Sequence, residues 1–191
     1  MHHRLYILIM CTALLASLSL ASCSVDDSSD KQLDLSYNAQ AGTPYSGKWD
    51  VGGKSIDKIL MNELGTTFMF GAIPTMHIVQ AIFAGHAIEG VSTGAQSVAY
   101  ESVQQSDGTI VYAIKPSVWH IEVQTDGKRH NVQLMLGPTD ASTDQQSWGK
   151  YTPKTRVLTI FLHITAYAID NGDTHPMQLK LTYTGTPITD C

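Results

Sequence analysis

Trp119-His120-Ile121-Glu122-Val123-Gln124-Thr125-Asp126-Gly127-Lys128-Arg129-His130-Asn131-Val132-Gln133-Leu134 is the stretch whose reading decides the fold. Apolar and polar residues alternate on both sides of Asp126-Gly127, a dipeptide that tolerates the positive φ of a two-residue hairpin turn. Folding the chain back there sets Val123 opposite His130, Ile121 opposite Val132 and Trp119 opposite Leu134. His120/Gln133, Glu122/Asn131 and Gln124/Arg129 then share the other face. One face is apolar except for His130 and the other is polar, as a half-buried antiparallel pair requires. A one-residue slip would move every apolar side chain to the wrong side.

The same test works at Asn171-Gly172. It sets Ala166 opposite Met177, Ile164 opposite Leu179, Leu162 opposite Leu181 and Ile160 opposite Tyr183, all apolar. Asp107-Gly108 turns Val98–Gln105 onto Thr109–Lys115, with the register left open. Upstream, Tyr45–Val51, Lys58–Met61 and Thr66–Phe70 read as strands punctuated by Gly52-Gly53, Gly65 and Gly71. Thr139–Pro153 reads as a polar loop carrying Trp148.

One stretch is helical. Between Pro74 and Gly85, Thr75, Ile78, Val79, Ile82 and Phe83 fall on one side. So short a helix needs a packing partner, either the core or, as a lid, a ligand cavity. Together these segments predict an all-β protein: an antiparallel barrel or barrel-like sandwich of about eight strands with one short helix. Tyr183-Thr184-Gly185-Thr186 echoes Tyr45-Ser46-Gly47-Lys48, which would place the first and last strands side by side.

The N-terminus carries an address. Arg4 precedes an apolar run from Leu5 to Leu20, interrupted only by Thr12, Ser17 and Ser19, which reads as a secretory signal. Leu20-Ala21-Ser22-Cys23 resembles the bacterial lipoprotein lipobox. That resemblance implies cleavage after residue 22, diacylglycerol on the Cys23 sulfur and acylation of its new amine. Several acyl chains anchor far more firmly than one, at about 0.8 kcal/mol per buried methylene. The expected division is therefore a signal peptide over 1–22, the lipidated cysteine and a flexible acidic tether over 23–43, and a β domain over 44–191. By resemblance to other lipoproteins, Ser24 after the cysteine implies the outer membrane. The acidic Asp26-Asp27-Ser28-Ser29-Asp30 is similar to surface-export signals of Bacteroidetes lipoproteins and also suits a plain solvated linker.

Removing 22 of the 191 residues leaves 169, enough for one substantial core. Losing Arg4 from 12 basic residues against 17 acidic ones gives the mature chain a net charge of −6, which excludes a basic nucleic-acid surface. Of three cysteines, Cys11 departs with the signal and Cys23 is lipidated; Cys191 is left without an intrachain partner.

Chemistry-bearing motifs are few. His77, His86, His120, His130, His163 and His175 form no zinc-ligand spacing, so no metal or other cofactor is expected. No Gly-x-Ser-x-Gly elbow is present. His120 and Glu122 share the polar face of a strand, where a small acid–base pair or a solvated surface are the alternatives. His163 faces Lys180. The candidate ligand contacts are Trp119, His130, Ile78, Ile82 and Phe83 around the helix and hairpin, and Trp148, whose loop position suits stacking on a sugar or pinning its own loop.

Gly47-Lys48-Trp49 resembles the Gly-x-Trp signature that opens the first strand of lipocalins and other calycins, with Lys180 the candidate for the basic residue that stacks on the tryptophan. Over Thr43–Thr186, Tyr45–Trp49, Phe70–Thr75, Trp119–Val123 and Met177–Thr186 together resemble a Bacteroidetes lipoprotein family of unknown function. The resemblance implies a calycin-like β domain and carries no activity to transfer. The resulting expectation is a non-enzymatic outer-membrane lipoprotein, bound to the membrane through Cys23, that binds a small apolar molecule or a glycan fragment. The alternative is an interaction module of an envelope assembly without a ligand cavity, with a glycan or lipid hydrolase ranked third.

Overall fold

The computed structural model describes residues 42–137 and 146–189. The expected signal peptide, Cys23, all but the last two residues of the expected acidic tether, Cys191 and residues 139–145 of the expected Thr139–Pro153 loop lie outside the described residues. No helix among the described residues is long and apolar enough to cross a membrane.

Eleven strands and one helix follow the order β1 (Thr43–Val51), β2 (Lys54–Leu64), β3 (Thr67–Phe70), α1 (Thr75–Ile82), β4 (Ile88–Ser92), β5 (Gln96–Gln104), β6 (Ile110–Ile114), β7 (Ser117–Thr125), β8 (Lys128–Leu136), β9 (Trp148–Thr152), β10 (Val157–Ile169) and β11 (Thr174–Pro187). All pairings are antiparallel. Eight strands close a ring in the order β11-β1-β2-β3-β5-β6-β9-β10, with β10 pairing back onto β11. The protein is thus an all-β, barrel-like fold, as the alternation implies. Three further strands, β8-β7-β4, leave the ring as a flap, because β10 is long enough to pair β9 with its first half and β8 with its second.

The Asp126-Gly127 hairpin has the register read from its sequence, Trp119 opposite Leu134 through Val123 opposite His130. The β10–β11 hairpin keeps Ile160/Tyr183, Leu162/Leu181 and Ile164/Leu179, then departs: Ala166 faces Pro176 instead of Met177. The cause is a bulge at Thr165, a buried residue whose hydroxyl donates to the Gly137 carbonyl at 2.7 Å. A polar side chain facing the core rotates to reach an acceptor, and the extra residue shifts the ladder by one. At Asp107-Gly108 the open register resolves to Gln104/Ile110, with Gly108 at φ 82°.

The loop expected over Thr139–Pro153 needs correction. Residues 148–152 belong to the barrel wall as β9, not to a polar loop: Gly149 faces inward, where a Cβ would meet the Tyr112 ring at 3.3 Å. Alternation is hard to see in five residues whose inward position is a glycine. The strand β4 also went unread, because Ile88-Glu89-Gly90-Val91-Ser92 is short and half-buried. The helix is trimmed to Thr75–Ile82, ending before Gly85 at φ 86°.

The first and last strands do close the barrel: Tyr45/Pro187, Gly47/Gly185 and Trp49/Tyr183 are partners. The two glycines are needed there. The Tyr183 ring lies over both, and a Cβ on Gly47 would sit 2.8 Å from Tyr183 Cζ and 2.3 Å from the Thr184 carbonyl oxygen.

Inside the ring, aromatic residues pack in tilted and edge-to-face pairs: Trp49 lies 4.9 Å from Phe70, tilted, and 5.4 Å from Tyr183, edge to face, and Phe68 lies 4.4 Å from Tyr100, tilted. Trp49, Phe68, Phe70, Leu158, Ile160, Leu162 and Tyr183 are 0% exposed. A space wide enough for water would leave exposed area on the side chains around it, so the interior enclosed by these residues is filled. The Lys180 stack expected on Trp49 does not form: Trp49 packs on aromatic rings and donates its Nε1–H to the Ala72 carbonyl at 3.0 Å, while Lys180 is exposed opposite His163.

The flap folds back over the barrel. Trp119 on β7 reaches across to β5 and donates its indole N–H to the Ser97 carbonyl at 2.9 Å. The helix joins the same core through Ile78 and Val79, both fully buried.

Candidate functional site

The structure separates the six ligand-contact candidates. Trp119, Ile78 and Phe83 are core residues, so no ligand reaches them in this state. Ile82 is half-buried against the same cluster. His130 sits at the rim: its Nδ1 is 2.8 Å from Asp170 Oδ2, and its ring lies 5.7 Å from Phe83. Trp148 stands apart, on the outside of the barrel, 42% exposed.

Charge is concentrated at three other places. At one end of the barrel Glu63 accepts hydrogen bonds from Tyr100 at 2.7 Å and Tyr45 at 3.1 Å. Burial first, and then the Glu63 carboxylate, push the Tyr45 and Tyr100 phenols far above their ordinary value, and both effects also act on Tyr112. At the turns, His86 Nδ1 pairs with Asp126 Oδ2 at 2.6 Å, and Asp170 takes both His130 and the Asn131 backbone N–H. The Asn131 N–H, followed by His130, holds the Asp170 carboxyl below its usual range. The first pair fastens the segment after α1 to the β7–β8 turn, and the second fastens the β10–β11 turn to β8. On the flap's outer face Gly90, Val91, Ser92, Glu122, Val123, Gln124 and Arg129 line an open groove of about 220 Å³. His120 and Glu122 are exposed there, on the polar face of β7. Burial, followed by the Lys180 charge, lowers the half-buried His163 imidazole from its ordinary value. Among the described residues no three His, Cys, Asp or Glu side chains are placed to hold a metal ion.

The outer wall around Trp148 has the most developed geometry. One cross-strand row runs Glu101 (β5), Ala113 (β6), Trp148 (β9), Phe161 (β10) and Thr182 (β11). Trp148 and Phe161 are direct partners and stack, with ring centroids 4.3 Å apart and planes 29° from parallel. One face of the indole is thereby covered. The other side looks over Ala113, an exposed residue too small to cover it. Beyond Ala113, Glu101 Oε1 is 3.0 Å from Lys115 Nζ, both exposed. The next row holds Val103, 64% exposed, opposite Val111.

Phe161 escaped the sequence reading although its signal was present: it has outward parity on a strand whose inward positions are Ile160, Leu162 and Ile164. Glu63 left no such signal, since an acid at an inward position reads as solvent-facing until the tyrosines around it are known.

Nothing matches this chain among protein-family models, curated proteins or solved structures.

Proposed function

We propose that this chain is a lipid-anchored outer-membrane protein whose β domain binds a glycan on the outer wall of its barrel, without catalysis. The observation that carries the choice of the outer wall is the filled aromatic interior, with Trp49, Phe68, Phe70 and Tyr183 each 0% exposed. An apolar carrier needs an enclosed cavity that buries most of its ligand, whereas a sugar needs only an accessible aromatic face flanked by polar groups. Trp148 stacked on Phe161 offers that face.

The test is calorimetry of the full chain against a panel of soluble oligosaccharides, alongside native mass spectrometry for retained lipid. Glycan binding lost in Trp148→Ala is the expected result; a co-purifying apolar molecule in the native protein would refute the reading. Anchoring is tested separately: Cys23→Ala is expected to take up no labelled palmitate, and normal labelling would remove the lipobox assignment.

A second reading has its own support. Val103 and Val111, 64% and 38% exposed, lie beside the Trp148 row, and exposed apolar surface on one wall also suits a protein partner in an envelope assembly. Crosslinking from this wall that captures one partner, together with no glycan binding, would favour that alternative.

A further inference from the structure

We infer that the exposed shelf over Ala113 is a subsite one pyranose ring wide, selective for an uncharged sugar residue; this rests on the glycan reading above and specifies it. The floor is Ala113 on β6. Its two cross-strand neighbours, Trp148 on β9 and Glu101 on β5, form the walls. Adjacent strands lie about 4.8 Å apart, so these walls stand on backbones roughly 10 Å from each other. Allowing for the half-thickness of the indole and the reach of the carboxylate, the gap accommodates one saturated six-membered ring.

Three features make the gap a subsite rather than a plain stretch of sheet. First, the indole is held in place by its stack on Phe161 at 4.3 Å, so little side-chain freedom is lost when a ligand packs on the opposite face. The C–H face of a pyranose is apolar and suits an aromatic surface, while its equatorial hydroxyls project sideways. Second, Ala113 is the one small outward residue of this row between Glu101 and Thr182. A larger side chain there would cover the free face of the indole. Third, the polar wall is neutral overall: Glu101 and Lys115 pair at 3.0 Å. Together they offer carboxylate acceptors and ammonium donors to hydroxyls without a net charge to attract an ion. Lys150 lies in the neighbouring row, opposite Val111 and away from the shelf.

The tryptophans provide their own controls. The chain has three. The indole N–H groups of Trp49 and Trp119 are committed to the Ala72 and Ser97 carbonyls in the core, which leaves Trp148 as the exposed reporter. The experiment is a titration of the full chain, labelled with nitrogen-15, by methyl β-glucopyranoside, methyl β-galactopyranoside, methyl α-mannopyranoside and glucuronate, following the three indole signals. The expected result is that one neutral glycoside moves a single indole signal, the one missing from Trp148→Ala. Ala113→Leu keeps that signal and weakens the response at least tenfold. Glu101→Gln together with Lys115→Met weakens it several-fold. Unchanged Trp49 and Trp119 signals in each variant establish that the fold is intact.

If Ala113→Leu responds like the native protein while Trp148→Ala does not, the subsite is overturned and glycan binding at Trp148 stands. If glucuronate binds tenfold more tightly than the neutral glycosides, the selectivity is overturned. If no monosaccharide moves the Trp148 signal but oligosaccharides bind with Trp148 unmoved, the subsite falls and glycan binding lies elsewhere. If neither monosaccharides nor oligosaccharides bind at all, the subsite and the proposed function fall together.

Discussion

Replacing Trp49 by alanine tests the claim that an aromatic cluster, rather than a ligand, fills the barrel. The side chain is fully buried, touches Phe70 and Tyr183, and gives its N–H to the Ala72 carbonyl. Truncating a buried tryptophan costs about 3–5 kcal/mol through lost transfer energy and the cavity left behind. Leaving the Ala72 carbonyl without its donor adds up to roughly 1–3 kcal/mol if water cannot reach it. A combined loss of about 5 kcal/mol corresponds to a fall in Tm of roughly 10–20 °C for a domain of this size. Trp148→Ala removes a surface stack worth about 0.5–1.5 kcal/mol and is expected to lower Tm by only a few degrees. Urea unfolding followed by far-ultraviolet circular dichroism gives both values without relying on tryptophan emission. An unchanged m-value would show that the same surface is exposed in each case. The reasoning is refuted if Trp49→Ala costs no more than Trp148→Ala, because Trp49 would then border space or water and not packed rings.

Stability should fall steeply in alkali. Burial raises the Tyr45, Tyr100, Tyr112 and Tyr183 phenols far above 10.0, with Glu63 adding to the first three. Below pH 10 these phenols are neutral in both states and their contribution is complete; above it the unfolded chain ionises first and the contribution is lost. Spectrophotometric titration should therefore show a class of tyrosines that ionises only on unfolding, and Glu63→Gln should make the decline shallower. Asp170 has the opposite sign: its carboxyl is held below 3.8 by the Asn131 N–H and then His130, so its contribution is present above about pH 4 and lost as acid protonates it. Asp170→Asn should flatten the acid limb of the stability profile, and an unaltered limb would show that the turn contact does not form in solution. Gly47→Ala forces a Cβ to 2.3 Å from the Thr184 carbonyl oxygen, so a loss of about 1–3 kcal/mol or more is expected in chemical unfolding.

The comparison of sequence with structure turns on which forces are local. In the Trp119–Leu134 hairpin the turn dipeptide and the two-residue period act on neighbouring residues, so every partner could be read directly. The β10–β11 hairpin was legible up to Ile164. It failed at Thr165 because the acceptor that turns that side chain, the Gly137 carbonyl, is 28 residues away. Among the site residues, Trp148 was identified for its chemistry but placed in a loop. Its exposure as part of an aromatic row depends on Ala113 and Phe161, which come from two other strands.

Alternation and turn chemistry, acting over a few residues, determined by themselves that this chain folds as an antiparallel all-β protein. The likeness of Tyr183–Thr186 to Tyr45–Lys48 pointed to the pairing of the first and last strands, which the structure supplies. Only the tertiary structure decided that eight strands close a ring while three leave it as a flap, because that depends on β10 sharing one edge between β8 and β9. Only it decided that Trp119, Ile78 and Phe83 are core while Trp148 is surface. Burial is set by what the rest of the chain places against a side chain, and an isolated stretch of sequence does not contain that information.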